Sequence, residues 1–131
     1  MLTRDRRFGV RVPFEMFLDI YKCDRRHRAL TTNISETGVF LSTASSRRGG
    51  AMAAGTVIAM EFHLPGMDES IWACGVVCSA LEGDLVVGTG IRFTGMTRRD
   101  ARRLRDFCVD QRREHLSGLL AAIQPLVAQA A

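Results

Sequence analysis

Short stretches in which apolar and polar residues alternate are the feature of this 131-residue chain that most constrains its fold. A period of two is typical of a strand with one buried face, because successive side chains of a strand point to opposite sides. The clearest example runs from Val12 to Tyr21 and has these apolar members: Val12, Phe14, Met16, Leu18 and Ile20. Further strands are predicted at residues 28–35, 39–43, 56–64, 70–81 and 85–93. Six short strands favour a closed or nearly closed antiparallel barrel, since closure leaves no strand edge unpaired.

Two interruptions of the strand pattern have a local interpretation. Gly75 breaks the fifth predicted strand, where we expect a bend or a β-bulge. Residues 44–55 combine small side chains with a Gly-Gly pair, which predicts a mobile loop within one domain.

The C-terminal third of the chain changes to a helical pattern. Thr97 can cap a helix over residues 97–115, with Asp100 favouring its positive end. The apolar stripe predicted to lie on the barrel consists of Ala101, Leu104, Phe107 and Cys108. A second amphipathic segment follows at 116–131, bent or ended near Pro125, with Leu116, Leu119, Leu120, Ile123 and Val127 on one face. We therefore predict one domain at 1–115, comprising an arginine arm (1–11), a barrel (12–95) and a helix (97–115), followed by this helical extension.

The composition argues against catalysis. His27, His63 and His115 are scattered without metal-ligand spacing, and the four cysteines form no C-x-x-C pair. Neither a phosphate-binding G-x-x-x-x-G-K loop nor a G-x-S-x-G nucleophile turn is present. The sequence predicts a protein that is not an enzyme and holds neither a metal nor a cofactor.

Charge and hydropathy indicate the compartment. The chain begins with charged residues and lacks the apolar core of a signal peptide, and no apolar run reaches the length of a membrane span. Together with the absence of a C-x-x-C pair or zinc-like spacing among the four cysteines, this favours a reduced, cytoplasmic protein. Of the eighteen basic residues, all but Lys22 are arginine, which suits an anionic partner.

Two short groups of residues carry the candidate site. Arg7 and Arg11 lie four apart, so they share a side in either a strand or a helix, and arginine pairs bidentately with phosphate and with the guanine edge. The alternation at this strand end is expected to place Thr31, Asn33 and Ser35 on one outward face, where Asn33 and Ser35 offer an amide and a hydroxyl. Gly38 is expected to permit a tight turn by adopting positive φ.

An R-x-x-x-R pair followed by N-x-S-x-x-G on a strand end resembles the two motifs of the PilZ domain family. The resemblance extends to Gly-Ile-Arg-Phe at residues 90–93 and to the helix after it, and covers roughly residues 4–115. It implies a mainly β fold, a six-stranded antiparallel PilZ-type β-barrel with a C-terminal α-helical segment, and cyclic di-GMP as ligand. The implied ligand-binding residues are Arg7, Arg11, Asn33, Ser35 and Gly38, with Arg6 as a flanking candidate. Many family members have Asp where this chain has Asn33, which removes a charged acceptor and lowers the expected affinity.

The favoured function is a cyclic di-GMP receptor that switches the interaction with an unknown protein partner when the ligand orders the arginine arm. The alternative is a PilZ-like adaptor of motility or pilus machinery that does not bind the nucleotide. A nucleic-acid-binding barrel is disfavoured, because the outward positions offer mainly Phe17 and Tyr21 for stacking. The apolar extension at 116–131 also suggests a homodimer formed through the C-terminal helices.

Overall fold

A computed structural model describes residues 11–44, 52–82 and 86–130. Its strands are β1 (Val12–Pro13), β2 (Phe17–Lys22), β3 (Arg25–Ile34), β4 (Gly38–Ala44), β5 (Val57–Phe62), β6 (Ile71–Glu82) and β7 (Val86–Met96), and its helix is α1 (Arg98–Ala130). The antiparallel order β3-β2-β5-β6-β7-β4 closes through a β4–β3 pairing, and the two-residue β1 adds to β3. The predicted six-stranded antiparallel barrel with a C-terminal helix is therefore confirmed. Most of the loop predicted at 44–55 lies outside the described residues.

The first predicted strand is split in two. The inward and outward faces follow the alternation, with Val12, Leu18 and Ile20 buried. However, residues 14–16 do not belong to a strand. Pro13 pairs with Asn33 of β3 and Phe17 pairs with Leu30, so the segment from Pro13 to Phe17 is one residue longer than the stretch of β3 that it faces. An extra residue of this kind is a β-bulge, which a pattern of period two does not reveal.

Thr31 joins the two pieces across the bulge. Its hydroxyl donates to the carbonyl oxygen of Phe14 at 2.6 Å and accepts from the backbone N–H of Met16 at 2.9 Å. Thr31 is fully buried, whereas the alternation predicted it on the outward face with Asn33 and Ser35. That prediction is wrong because the β3–β4 register shifts between Thr31 and Asn33, which changes the phase of the alternation.

The barrel is filled by aliphatic side chains, among them Leu41, Met60, Ile71, Val77 and Ile91. Full burial of such a side chain stabilises a fold by about 1.5–3 kcal/mol. The bulge expected at Gly75 is confirmed, since the β6–β7 register shifts between Cys74 and Gly75. A Cβ on Gly75 would lie 2.6 Å from the Cγ2 of Ile91 and 2.9 Å from the Cε of Met60, so the interior leaves no space for a side chain there.

Helix α1 begins as predicted and packs on β1 and the end of β3. The hydroxyl of Thr97 accepts from the N–H of Asp100 at 3.1 Å and caps the first turn. Leu104, Phe107 and Cys108 join the barrel core, and the ring of Phe107 meets that of Phe14 edge to face at 4.8 Å between centroids.

The rest of α1 differs from the sequence prediction in two respects. Ala101 is exposed and does not belong to the barrel-facing stripe. The helix also continues as one element to Ala130, without ending at Pro125. Within the part of the chain that the structure describes, no helix is long and apolar enough to cross a membrane.

Candidate functional site

The connection between β3 and β4 is held together by Ser35. Its hydroxyl oxygen accepts from the N–H groups of Thr37 at 3.2 Å and Gly38 at 3.1 Å, and lies 3.3 Å from the carbonyl oxygen of Gly38, to which it donates. The backbone N–H of Ser35 donates to the same carbonyl oxygen at 2.8 Å. Ser35 is fully buried, so the prediction that it projects outward beside Asn33 is wrong. The polar side chain instead satisfies the backbone of a tight turn, as Ser commonly does.

Gly38 is required by close packing and not by its dihedral angles. It is the first residue of β4 and pairs with Arg92 of β7. A Cβ at this position would collide with the carbonyl oxygen of Ile91 and lie 3.4 Å from the Cα of Arg92. Among the described glycines, positive φ is found at Gly55 and Gly66. The expectation of positive φ at Gly38 was therefore wrong, although the need for glycine was correctly predicted.

Asn33 carries a buried acceptor without a donor. The residue is half-buried at the β3 bulge, and its Oδ1 accepts no hydrogen bond from any described residue. Leaving a buried polar atom unsatisfied costs about 1–3 kcal/mol, so such an atom calls for a further partner, such as an ordered water, an ion or a ligand. Asn33 pairs across the strands with Phe40, which places it next to the pocket described below.

A pocket of about 300 Å³ lies over β4, β7 and β6. Its described lining consists of Arg11, Thr37, Gly38, Val39, Phe40, Cys78, Ser79, Gly90, Ile91 and Arg92. Gly90 keeps the floor open, because a Cβ there would lie 2.7 Å from the hydroxyl oxygen of Ser79 and 3.6 Å from the ring of Phe40. Two guanidinium groups and no carboxylate belong to this lining, so the pocket suits an anion.

The structure brings together some of the predicted site residues. Arg11 and Gly38 line the same pocket, and Ser35 binds the turn whose residues Thr37 and Gly38 line it as well. Asn33 is adjacent through its pairing with Phe40. Arg6 and Arg7 lie outside the described residues.

Arg92 was not identified as a site residue from the sequence. It is exposed on β7 between the inward-facing Ile91 and Phe93, so the alternation within Gly-Ile-Arg-Phe already indicated an outward side chain. Its place in the pocket lining depends on the pairing of β4 with β7, which no local pattern reveals. Phe40 and Ser79 were missed for the same reason.

A buried thiol lies beneath the same turn. The Sγ–H of Cys108 donates to the carbonyl oxygen of Ile34 at 3.9 Å. Burial, with a smaller contribution from the charge of Glu36, raises the pKa of Cys108 to about 12. A thiol of this kind stays protonated and unreactive, so Cys108 has a structural role. Within residues 11–44, 52–82 and 86–130, no group of three His, Cys, Asp or Glu side chains is arranged to hold a metal ion.

The chain resembles known proteins in sequence and fold. The PilZ domain matches residues 5–110. Bacillus subtilis Inhibitor of motility (MotI/DgrA) superposes with a TM-score of 0.70 at 18% identity, over 80% of this chain and 50% of that chain. The PilZ domain of Escherichia coli YcgR with c-di-GMP gives 0.69 at 15% identity, over 88% and 98%. The K. pneumonia MrkH–c-di-GMP complex gives 0.65 at 12% identity, over 82% and 53%.

These similarities differ in what they cover. The chain spans about half the length of the MotI/DgrA and MrkH chains, and nearly the whole of the YcgR domain. No curated protein matches its sequence. Since the PilZ match takes in most of the chain, and the barrel has the fold of these neighbours, the protein belongs to the PilZ domain family.

Proposed function

We propose that this protein is a receptor for cyclic di-GMP, with no catalytic activity of its own. The observation that carries the proposal is the pocket over β4 and β7, which Arg11 and Arg92 line, and whose lining residue Phe40 pairs with Asn33, the residue with the unsatisfied acceptor. Cyclic di-GMP carries acceptors for the two arginines and donors for the amide oxygen of Asn33. Its phosphates and guanine O6/N7 edges suit arginine, and its guanine N–H groups suit the amide oxygen. The solved structures of YcgR and MrkH with c-di-GMP support the same ligand class.

The residues take different roles in this proposal. Arg11 and Arg92 bind phosphate or the guanine edge, and Asn33 accepts from a guanine N–H. Ser35 and Gly38 act mainly by shaping the turn, because the Ser35 hydroxyl is already engaged with Thr37 and Gly38. Arg7, with Arg6 as a flanking candidate, adds further charged contacts to the ligand.

Ligand binding then switches a partner interaction. Arg11 immediately precedes β1, so a ligand held by Arg11 and Asn33 links the N-terminal segment to the barrel. The ordered segment and the ligand together form a surface for a protein partner. Amide hydrogen exchange at residues 4–12 is expected to slow on addition of cyclic di-GMP. Unchanged exchange there would refute the switch and leave binding intact.

Calorimetric titration with cyclic di-GMP tests the binding proposal. We expect micromolar or tighter affinity, about −8 kcal/mol or better. Arg11→Gln and Arg92→Gln should each weaken binding at least tenfold, since each removes a charged hydrogen-bonding group worth about 1.5–3 kcal/mol. Arg26→Gln is the matched control, because Arg26 is also exposed but lies on β3 and is not part of the pocket lining.

Asn33→Asp gives a sharper test. A carboxylate accepts more strongly than an amide, so the affinity for cyclic di-GMP should rise about fivefold. Cyclic di-AMP should not benefit, because adenine lacks the N1–H and 2-amino donors of guanine. An absence of heat with wild-type protein would refute the receptor and favour the adaptor of motility or pilus machinery.

A further inference from the structure

The second half of α1 exposes a row of large apolar side chains. Leu116, Leu119, Leu120 and Ile123 are between 46% and 61% exposed. A helix turns by about 100° per residue, which places these four roughly a third of a turn away from Leu104, Phe107 and Cys108. The barrel contacts the flank of α1 that carries Leu104, Phe107 and Cys108, and it leaves this row exposed. The row is therefore available to something outside the chain.

The same side of the helix is basic in its first half. By the same helical geometry, Arg98, Arg102 and Arg112 lie on the side that carries the apolar row. All three are exposed, and none forms an ion pair within the described part of the chain. Arg105 also lies on this side, at 4.0 Å from Asp106. We call the three unpaired arginines and the four apolar residues together the basic–apolar face.

The order of charges along the helix limits what this face can meet. The carboxylates Asp106, Asp110 and Glu114 follow one another at intervals of four and so lie on a neighbouring side. After His115, the sequence contains no Asp, Glu, Lys or Arg. A complementary surface must therefore accept apolar side chains at one end and supply negative charge at the other.

A second copy of the chain does not meet these requirements. A parallel pair would place the three arginines of each helix opposite those of the other, which is repulsive. An antiparallel pair overlapping only at the apolar rows would bury roughly 400 Å² on each copy, below the ~1,200 Å² in total of a stable interface.

We propose that the basic–apolar face binds the surface of an anionic lipid bilayer. The apolar row enters the boundary between head groups and acyl chains, and the arginines bind the phosphates of neighbouring lipids. This association is peripheral, and it takes place whether or not the proposed nucleotide is bound.

Vesicle sedimentation with the full chain tests the proposal. The probes are extruded vesicles of phosphatidylcholine alone, and of phosphatidylcholine with roughly one third phosphatidylglycerol. We expect the protein to sediment with the anionic vesicles only, and to be released as salt is raised, because salt screens the arginine contacts. Protein that stays in the supernatant with both kinds of vesicle would overturn the proposal.

Two sets of substitutions separate the contributions. Replacing Leu119 and Ile123 by Glu should abolish sedimentation without unfolding the protein, since both side chains are exposed. Replacing Arg98, Arg102 and Arg112 by Gln should lower the partition coefficient about a hundredfold, at about fivefold for each arginine. The matched control replaces Arg25, Arg26 and Arg28 on β3, which removes the same charge from another surface.

Three further outcomes would also overturn the proposal. One is equal weakening by both arginine sets, since net charge rather than this face would then govern binding. Another is equal sedimentation with neutral and anionic vesicles. The third is a protein that does not bind vesicles but forms a dimer in light scattering, with the dimer dissociated by Leu119→Glu. This result would assign the apolar row to contact with a second copy of the chain.

Discussion

Thr31→Val tests whether one hydroxyl joins β1 to the barrel. Valine keeps the shape and volume of threonine but cannot donate or accept a hydrogen bond. The substitution would leave the carbonyl oxygen of Phe14 and the N–H of Met16 without the partners they have at 2.6 Å and 2.9 Å. The nearby backbone hydrogen bonds run from the N–H of Phe14 to the carbonyl oxygen of Thr32 and from the N–H of Thr31 to the carbonyl oxygen of Met16. Neither bond involves the carbonyl oxygen of Phe14 or the N–H of Met16, so no other described group replaces the hydroxyl.

The expected loss follows from these two contacts. Each hydrogen bond contributes about 0.5–1.5 kcal/mol, and a partly buried group left unpaired adds to the cost. The better burial of a methyl group offsets a little of it, so we expect about 2 kcal/mol less free energy of unfolding. For a domain of this size, that lowers Tm by about 6–10 °C.

Urea unfolding and calorimetry of Thr31→Val and Thr32→Val provide the assay. Thr32 is a matched control, because its hydroxyl makes a single long bond of 3.3 Å to the carbonyl oxygen of Phe40. Thr32→Val should cost under about 1 kcal/mol. Equal losses in the two variants, or a loss below about 0.5 kcal/mol in Thr31→Val, would refute the reasoning.

Three further predictions concern single positions near the pocket. Gly38→Ala should cost about 3 kcal/mol in chemical denaturation, because its Cβ meets a backbone carbonyl; Gly95→Ala, whose Cβ would lie 3.7 Å from the nearest atom, should cost little. Gly90→Val should fill the pocket floor and weaken cyclic di-GMP binding at least tenfold in titration calorimetry, with the melting temperature as the control for folding. Stability should fall above pH 9 by about 1.4 kcal/mol per pH unit, since unfolded Cys108 ionises near 9.0 and the folded thiol near 12; Cys108→Val should lose this dependence, and an unchanged slope would contradict the assignment.

The sequence predicted the barrel well because each strand has one buried face. The alternation from Val12 to Tyr21 assigned the inward side chains correctly, and the break at Gly75 was correctly expected as a bulge. Both signals are local, and burial of one face determines them directly. The helix start at Thr97 was equally local, since it rests on one cap.

The candidate site was harder to predict, because it depends on register. The register shift between Thr31 and Asn33 changes the phase of β3, so Thr31 is buried where the alternation expected an exposed side chain. Ser35 is buried for another reason, because its hydroxyl bonds the backbone of the turn that follows β3. Arg92 reaches the pocket through the pairing of β7 with β4, a contact between distant parts of the chain. Such pairings are set by the whole barrel, and a short window of sequence does not contain them.

The packing of α1 on β1 and β3 couples the two ends of the molecule energetically. Phe107 touches Phe14, and Cys108 bonds to the carbonyl of Ile34, which pairs with Val12 directly after Arg11. A ligand that stabilises the pairing of β1 with β3 is therefore expected to stabilise the packing of the helix on these strands as well. Suppose that a partner bound at the far end of α1 alters this packing. By thermodynamic linkage, it must then change the affinity for the proposed nucleotide by the same factor by which the nucleotide changes the affinity for that partner. Measured in both directions, the two factors should agree.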